Sequence, residues 1–157
     1  MPIGAVTLRE FAATTVAFLG DNSTVFEDIV LMDADPEDVQ ALSKGMGRKR
    51  NVCRVSYSTL SAIQLEPGLG RNVTFEFSLI VTCLHSTLGS SSTRLGDGIT
   101  DDITTLVKTA MTTLQGSTLG IFNSSGVQCG AARYLKSGDS LQAMQFTISG
   151  YSRESRN

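Results

Sequence analysis

The sequence has no tryptophan, one histidine, three cysteines and three prolines, and charged residues fill only 18% of its 157 positions. Each scarcity excludes something. One imidazole, His85, cannot anchor a histidine-built metal site. Cys53, Cys83 and Cys129 are odd in number and lack CxxC spacing, which argues against a zinc site and against a disulfide framework. They are expected to be unpaired, small buried thiols on strands. No run approaches the ~20 apolar residues of a membrane span. No basic stretch followed by an apolar one opens the chain, so no secretory signal is expected. The N-x-S/T triplets at Asn22, Asn72 and Asn123 then read as products of a Ser/Thr-rich composition. Positive charge is also short: 13 Lys and Arg against 15 Asp and Glu give a net charge of −2, unlike a protein that coats nucleic acid through its overall charge.

What remains is 41% hydrophobic content in a length suited to one domain over 1–157. The clearest pattern is alternation. Val73, Phe75, Phe77, Leu79, Val81 and Cys83 share one face of a strand, with Asn72, Thr74, Glu76, Ser78 and Thr82 on the other and Ile80 the exception. Such alternation predicts a strand with one buried and one wet face. Cys53, Val55 and Tyr57 begin a partner strand, whose apolar register changes before Leu60 and predicts a bulge. Pro67-Gly68 separates the two, so residues 51–84 read as a hairpin. Val127–Leu135 and Met144–Ile148 alternate likewise around Ser137-Gly138-Asp139 and read as a second hairpin.

Helices are marked by capping chemistry. Thr7 and Glu10 have capping-box spacing, Leu8–Leu19 follow the helical period, and Gly20 is the expected stop. Asp35-Pro36 predicts an N-cap and a short helix to Lys44. Ile99–Leu114 carries one apolar stripe with Asp101 and Asp102 in its first turn, and Gly116 ends it. The run Val25–Met32 is left without an assignment. Residues 85–98, rich in Ser, Thr and Gly, read as a flexible loop, and 152–157 as a frayed end. The fold class expected is α+β: a mainly antiparallel sheet of two hairpins with amphipathic helices packed on one face.

Chemistry is sparse. His85 has no nucleophile or orienting carboxylate near it in sequence, so a catalytic role finds no support there. The acidic cluster Asp33, Asp35, Glu37, Asp38 lacks the central glycine and terminal glutamate of a calcium loop. No enzyme activity and no cofactor are expected. The turn Gly45-Met46-Gly47-Arg48-Lys49-Arg50 lacks P-loop spacing. Its cations could contact phosphates, face solvent or meet an acidic neighbouring subunit, and Arg54 could extend the first of these. The candidate contact residues are Arg48, Lys49, Arg50, His85 and Arg94, all in the two loop regions.

The order of these elements resembles the tail-terminator, or tail-completion, proteins of long-tailed bacteriophages. The residues that carry it are the helix Thr7–Leu19, the hairpin Asn51–Leu84, the loop His85–Gly98, the helix Ile99–Leu114 and the closing hairpin Val127–Tyr151. The resemblance lies in element order and size across nearly the whole chain, not in a signature motif. It implies a non-enzymatic virion protein assembled in the host cytoplasm, a homo-oligomeric ring of six at the head-proximal end of the tail. Its partners would be the tail tube protein and head–tail connector or neck proteins, with DNA passing through the lumen unbound. The alternatives are another neck-completion protein, or a small nucleic-acid-binding module built on Arg48–Arg50.

Overall fold

The computed structural model describes residues 6–63, 72–86, 103–122, 126–135 and 141–155. The alternating segments form the heart of one sheet. Strand β2 (Asn51–Ile63) pairs antiparallel with β3 (Asn72–Ser86), and β3 pairs along its whole length with β6 (Leu141–Ser155). The expected bulge is present: Tyr57 lies opposite Leu79 and Leu60 opposite Phe77, three steps on one strand against two on the other. Val25–Met32 contains β1 (Asp28–Leu31), which lies parallel to β2 and makes the sheet mixed. β4 (Gln128–Cys129) and β5 (Arg133–Tyr134) pair with the far edge of β6, so the sheet order is β1-β2-β3-β6-β4. The fold is therefore α+β, with three helices and six strands among the described residues.

The closing hairpin departs from two continuous strands. Cys129 faces Ile148 and Arg133 faces Gln145, four steps against three. The extra residue is absorbed across Gly130–Ala132, where Gly130 still donates to the Thr147 carbonyl. Two ends also differ from expectation. β3 runs through His85 and Ser86, so the loop begins later than 85, and residues 87–98 lie outside the described ones. β6 stays paired as far as Ser155, opposite Asn72, so residues 152–155 are strand rather than frayed tail. Backbone pairing to a central strand outweighs their polar composition.

Helix α1 (Leu8–Asn22) starts where its capping chemistry says: the Thr7 hydroxyl accepts from the Glu10 amide at 3.0 Å. It runs two residues past Gly20 to a cap at Ser23. Helix α2 is only Val39–Leu42 and is capped by Asp38, not Asp35. Asp35 closes the preceding turn instead, its carbonyl accepting from Asp38 and its carboxylate from Glu37. Helix α3 (Ile103–Leu114) buries Ile103, Leu106, Val107, Ala110 and Leu114.

α1 and α3 cover the apolar face of the sheet. Phe11, Ala12 and Leu19 of α1 and the α3 stripe pack on Cys53, Val55, Phe77, Leu79, Val81, Cys83, Phe146 and Ile148. Phe75 lies at the margin of this core, whereas Phe77 is 2% exposed. The expectation of helices on one face is corrected by a second core. Val39 and Leu42 of α2, with Met46, pack on Val52, Leu84, Leu135 and Ala143, on the opposite side of the sheet. The face that alternation marks as wet is therefore largely covered: Thr82 is 0% and Ser78 4% exposed. Polar groups can be buried there because they bond one another.

Candidate functional site

The buried polar face is organised by Arg54. It sits between Cys53 and Val55, is 1% exposed, and spends its guanidinium inside the molecule. Its Nε donates to the Leu42 carbonyl at 3.0 Å, and its two terminal nitrogens reach the carbonyls of Lys44 and Cys53 and the Asp28 carboxylate at 3.2–3.4 Å. It thereby caps the C-terminal end of α2, whose last carbonyls lack helical partners. Gln145 holds the segment before α2. Its Nε2 donates to the Pro36 carbonyl and the Thr82 hydroxyl, and its Oε1 accepts from Arg133, which also pairs with Glu37. Arg54 and Gln145 thus pin residues 33–50 onto the sheet. Arg54 is removed from any phosphate-contacting role.

The basic turn itself projects from the second core. Met46 is buried while Gly45 and Gly47 on either side take φ of 83° and 56°, a region glycine enters without a Cβ clash. The turn delivers Arg48, Lys49 and Arg50 to the start of β2. Lys49 is already engaged, its Nζ 3.4 Å from Asp28 Oδ2. The Arg50 amide donates to Glu27, and its carbonyl accepts from Ser86 at the end of β3. Arg48 and Arg50 are exposed.

Across from the turn, His85 lies opposite Asn51 in the ladder, and its Nδ1 is 2.7 Å from the Asn51 side-chain oxygen. Backbone pairing thus brings the Arg48–Arg50 turn and His85 to one end of the sheet, a proximity that sequence separation hides. Yet His85 is only 4% exposed, so it braces this end rather than offering a contact. The contact with the Asn51 side chain joins the start of β2 to the end of β3. Arg94 lies outside the described residues. Among the described residues no group of three or more His, Cys, Asp and Glu side chains is arranged to hold a metal ion.

The other end of β2 has a different character. β1 covers only Val52–Val55 of its outer edge, and β2 continues to Ile63. The carbonyls of Asn51 and Val55 accept from Glu27 and Met32 on that edge. Odd-numbered residues of β2 therefore turn their backbone groups outward, and past the bulge this duty passes to Leu60 and Ala62. Residues 57–62 are all exposed, and no described strand pairs them on this side. Tyr57 and Leu60, at 36% and 54%, are the exposed large hydrophobic side chains among the described residues. Tyr57–Ala62 carries no charge and no proline, the usual devices that keep a strand edge from pairing. Sequence reasoning missed this edge because alternating apolar residues read as buried. The available signal was the length of an uncharged strand beyond the bulge.

The chain therefore presents two separate surfaces, a basic end and an open strand edge, roughly 30 Å apart at the rise of an extended strand. No family model matches this chain, and no curated protein matches it either.

Proposed function

We propose that this chain is a non-enzymatic assembly subunit that builds a closed ring, specifically a tail terminator that caps a bacteriophage tail tube and offers the head-joining surface. The observation that carries the self-association is the open edge of β2. Six exposed, uncharged residues, Tyr57 and Leu60 among them, present an edge that no strand among the described residues pairs. Such an edge gains hydrogen bonds and apolar burial when another strand joins it. A ring needs two different surfaces on each subunit, and the open edge and the basic end are distinct and far apart. The assignment to a tail, with tube and neck proteins as partners and DNA in the lumen, rests on the resemblance in element order. A different neck-completion protein would use the same surfaces.

The nucleic-acid alternative is weakened by what its cations do. Arg54 is buried and Lys49 pairs with Asp28, so at most Arg48 and Arg50, both exposed, could serve phosphate. Two phosphate contacts would give a log–log salt slope no steeper than about −2.

Native mass measurement and negative-stain imaging of the purified chain, with and without tail tube, test the reading. The expected result is a closed ring of six that Leu60→Lys abolishes while the variant stays folded. In the phage, loss of the protein should leave full heads and tails that fail to join, with tails of abnormal length. Joined tails of normal length in its absence would remove the terminator reading. A salt slope much steeper than two contacts allow would promote the nucleic-acid one.

A further inference from the structure

We propose that Cys53 and Cys83 form a latent cross-strand disulfide, closed by a small two-electron thiol oxidant without rearrangement of the fold. The two residues lie directly opposite each other on β2 and β3. Because odd-numbered residues of β2 turn their backbone groups toward β1, this is a non-hydrogen-bonded pair. Pairs of that kind have the closer Cα separation, about 4.5 Å, with side chains adjacent on one face. A disulfide spans Cα separations of roughly 4.4–6.8 Å, so the ladder already holds the thiols within range. Both side chains point into the core under α1 and α3 and are fully buried. The hydrogen-bonding contact of the Cys53 thiol, with burial and charge repulsion from the same group added, holds the Cys83 thiol well above its usual value. The ladder register sets the two thiols side by side on one face. The raised value keeps thiolate scarce, so closure is slow and waits on a small reagent.

With an azodicarboxamide such as diamide, the steps balance. One thiol adds across the N=N bond and forms an S–N bond. The second thiol attacks that sulfur, the S–N bond breaks and the S–S bond forms. Two protons and two electrons end on the hydrazine product, and two thiols have become one disulfide.

The experiment uses the full chain carrying Cys129→Ser, so that only the pair is under test. The folded protein is incubated with diamide, unfolded, and its remaining thiols are counted with a maleimide by intact mass. The expected result is a chain 2 Da lighter that takes no maleimide, stays monomeric on a non-reducing gel and yields a peptide linking Cys53 to Cys83. A further Cys53→Ser substitution should leave one reactive thiol per chain under the same treatment. The link closes a loop of about 30 residues in the unfolded chain, so the melting midpoint should rise by roughly 5–10 °C. Two maleimides per chain, or a linkage between chains, would overturn the proposal. A lowered midpoint would show that closure distorts the ladder, and would overturn the claim that the native geometry already fits.

Discussion

Three arginines, Arg54, Arg133 and Arg48, have very different fates. Arg54 is enclosed and donates to two carbonyls at the end of α2, to the Cys53 carbonyl and to Asp28. Arg54→Ala should cost about 2–4 kcal/mol, because those acceptors lose their partner inside the molecule. Arg54→Met should cost less, since it keeps the volume. Urea unfolding of both variants checks the order, and equal loss would show that packing rather than hydrogen bonding holds the segment. Arg133 makes its 2.7 Å pair with Glu37 in solvent, and such a pair contributes little. Arg48 is exposed on the basic turn, where it can meet another molecule. Cys129 gives a pH handle. Burial lifts its thiol from 9.0 to about 11. The unfolded chain would release this proton near pH 9 while the folded chain keeps it, so the contribution is intact below pH 9 and is lost as pH climbs toward 11. Melting curves across that window should fall less steeply for Cys129→Ala than for the parent chain.

The strands carry the next lesson. β3 is apolar at 75, 77, 79, 81 and 83, but the helices above it cover only part of its length. Phe77→Asp places a carboxylate where exposure is 2% and should cost at least about 3 kcal/mol, a large share of a typical domain stability. Phe75→Asp, at the margin of the core, should cost distinctly less. Chemical denaturation of the two variants measures the difference, and an inverted order would place the core boundary elsewhere. The same boundary explains the far half of β2. Beyond Val55 the strand has lost β1 on its edge, and beyond Tyr57 it has lost the cover on its face. What projects there is available to a neighbour because no strand among the described residues pairs it.

At the scale of the whole molecule, one sheet serves two cores. Residues 53, 55, 77, 79, 81 and 83 face α1 and α3, while 52, 84 and 143 face α2 and Met46. Adjacent residues of the same strand therefore belong to opposite layers, so neither layer can detach without exposing the sheet that holds the other. Unfolding should be one cooperative transition, with far-ultraviolet circular dichroism and tyrosine fluorescence changing together. Two separated midpoints would show that residues 33–50 open independently. Arg54→Ala is the variant in which such separation should first emerge.

The Thr7 cap, the helix stripes, the bulge and the antiparallel pairing of β2 with β3 were legible in the sequence because each rests on local chemistry or on a regular alternation. The α+β class was legible for the same reason. The parallel strand at 28–31, the cover over the polar face and the buried state of Arg54 and His85 were not. A short apolar run has no period long enough to declare a strand. A Thr or Ser facing water and one facing a packed segment look the same in sequence. Whether Arg54 serves a partner or the fold depends on where the carbonyls of Leu42 and Lys44 arrive, and packing across the sheet decides that. The exposure of Tyr57–Ala62 likewise depends on which described strands reach that edge, and β1 ends at Leu31, opposite Val55.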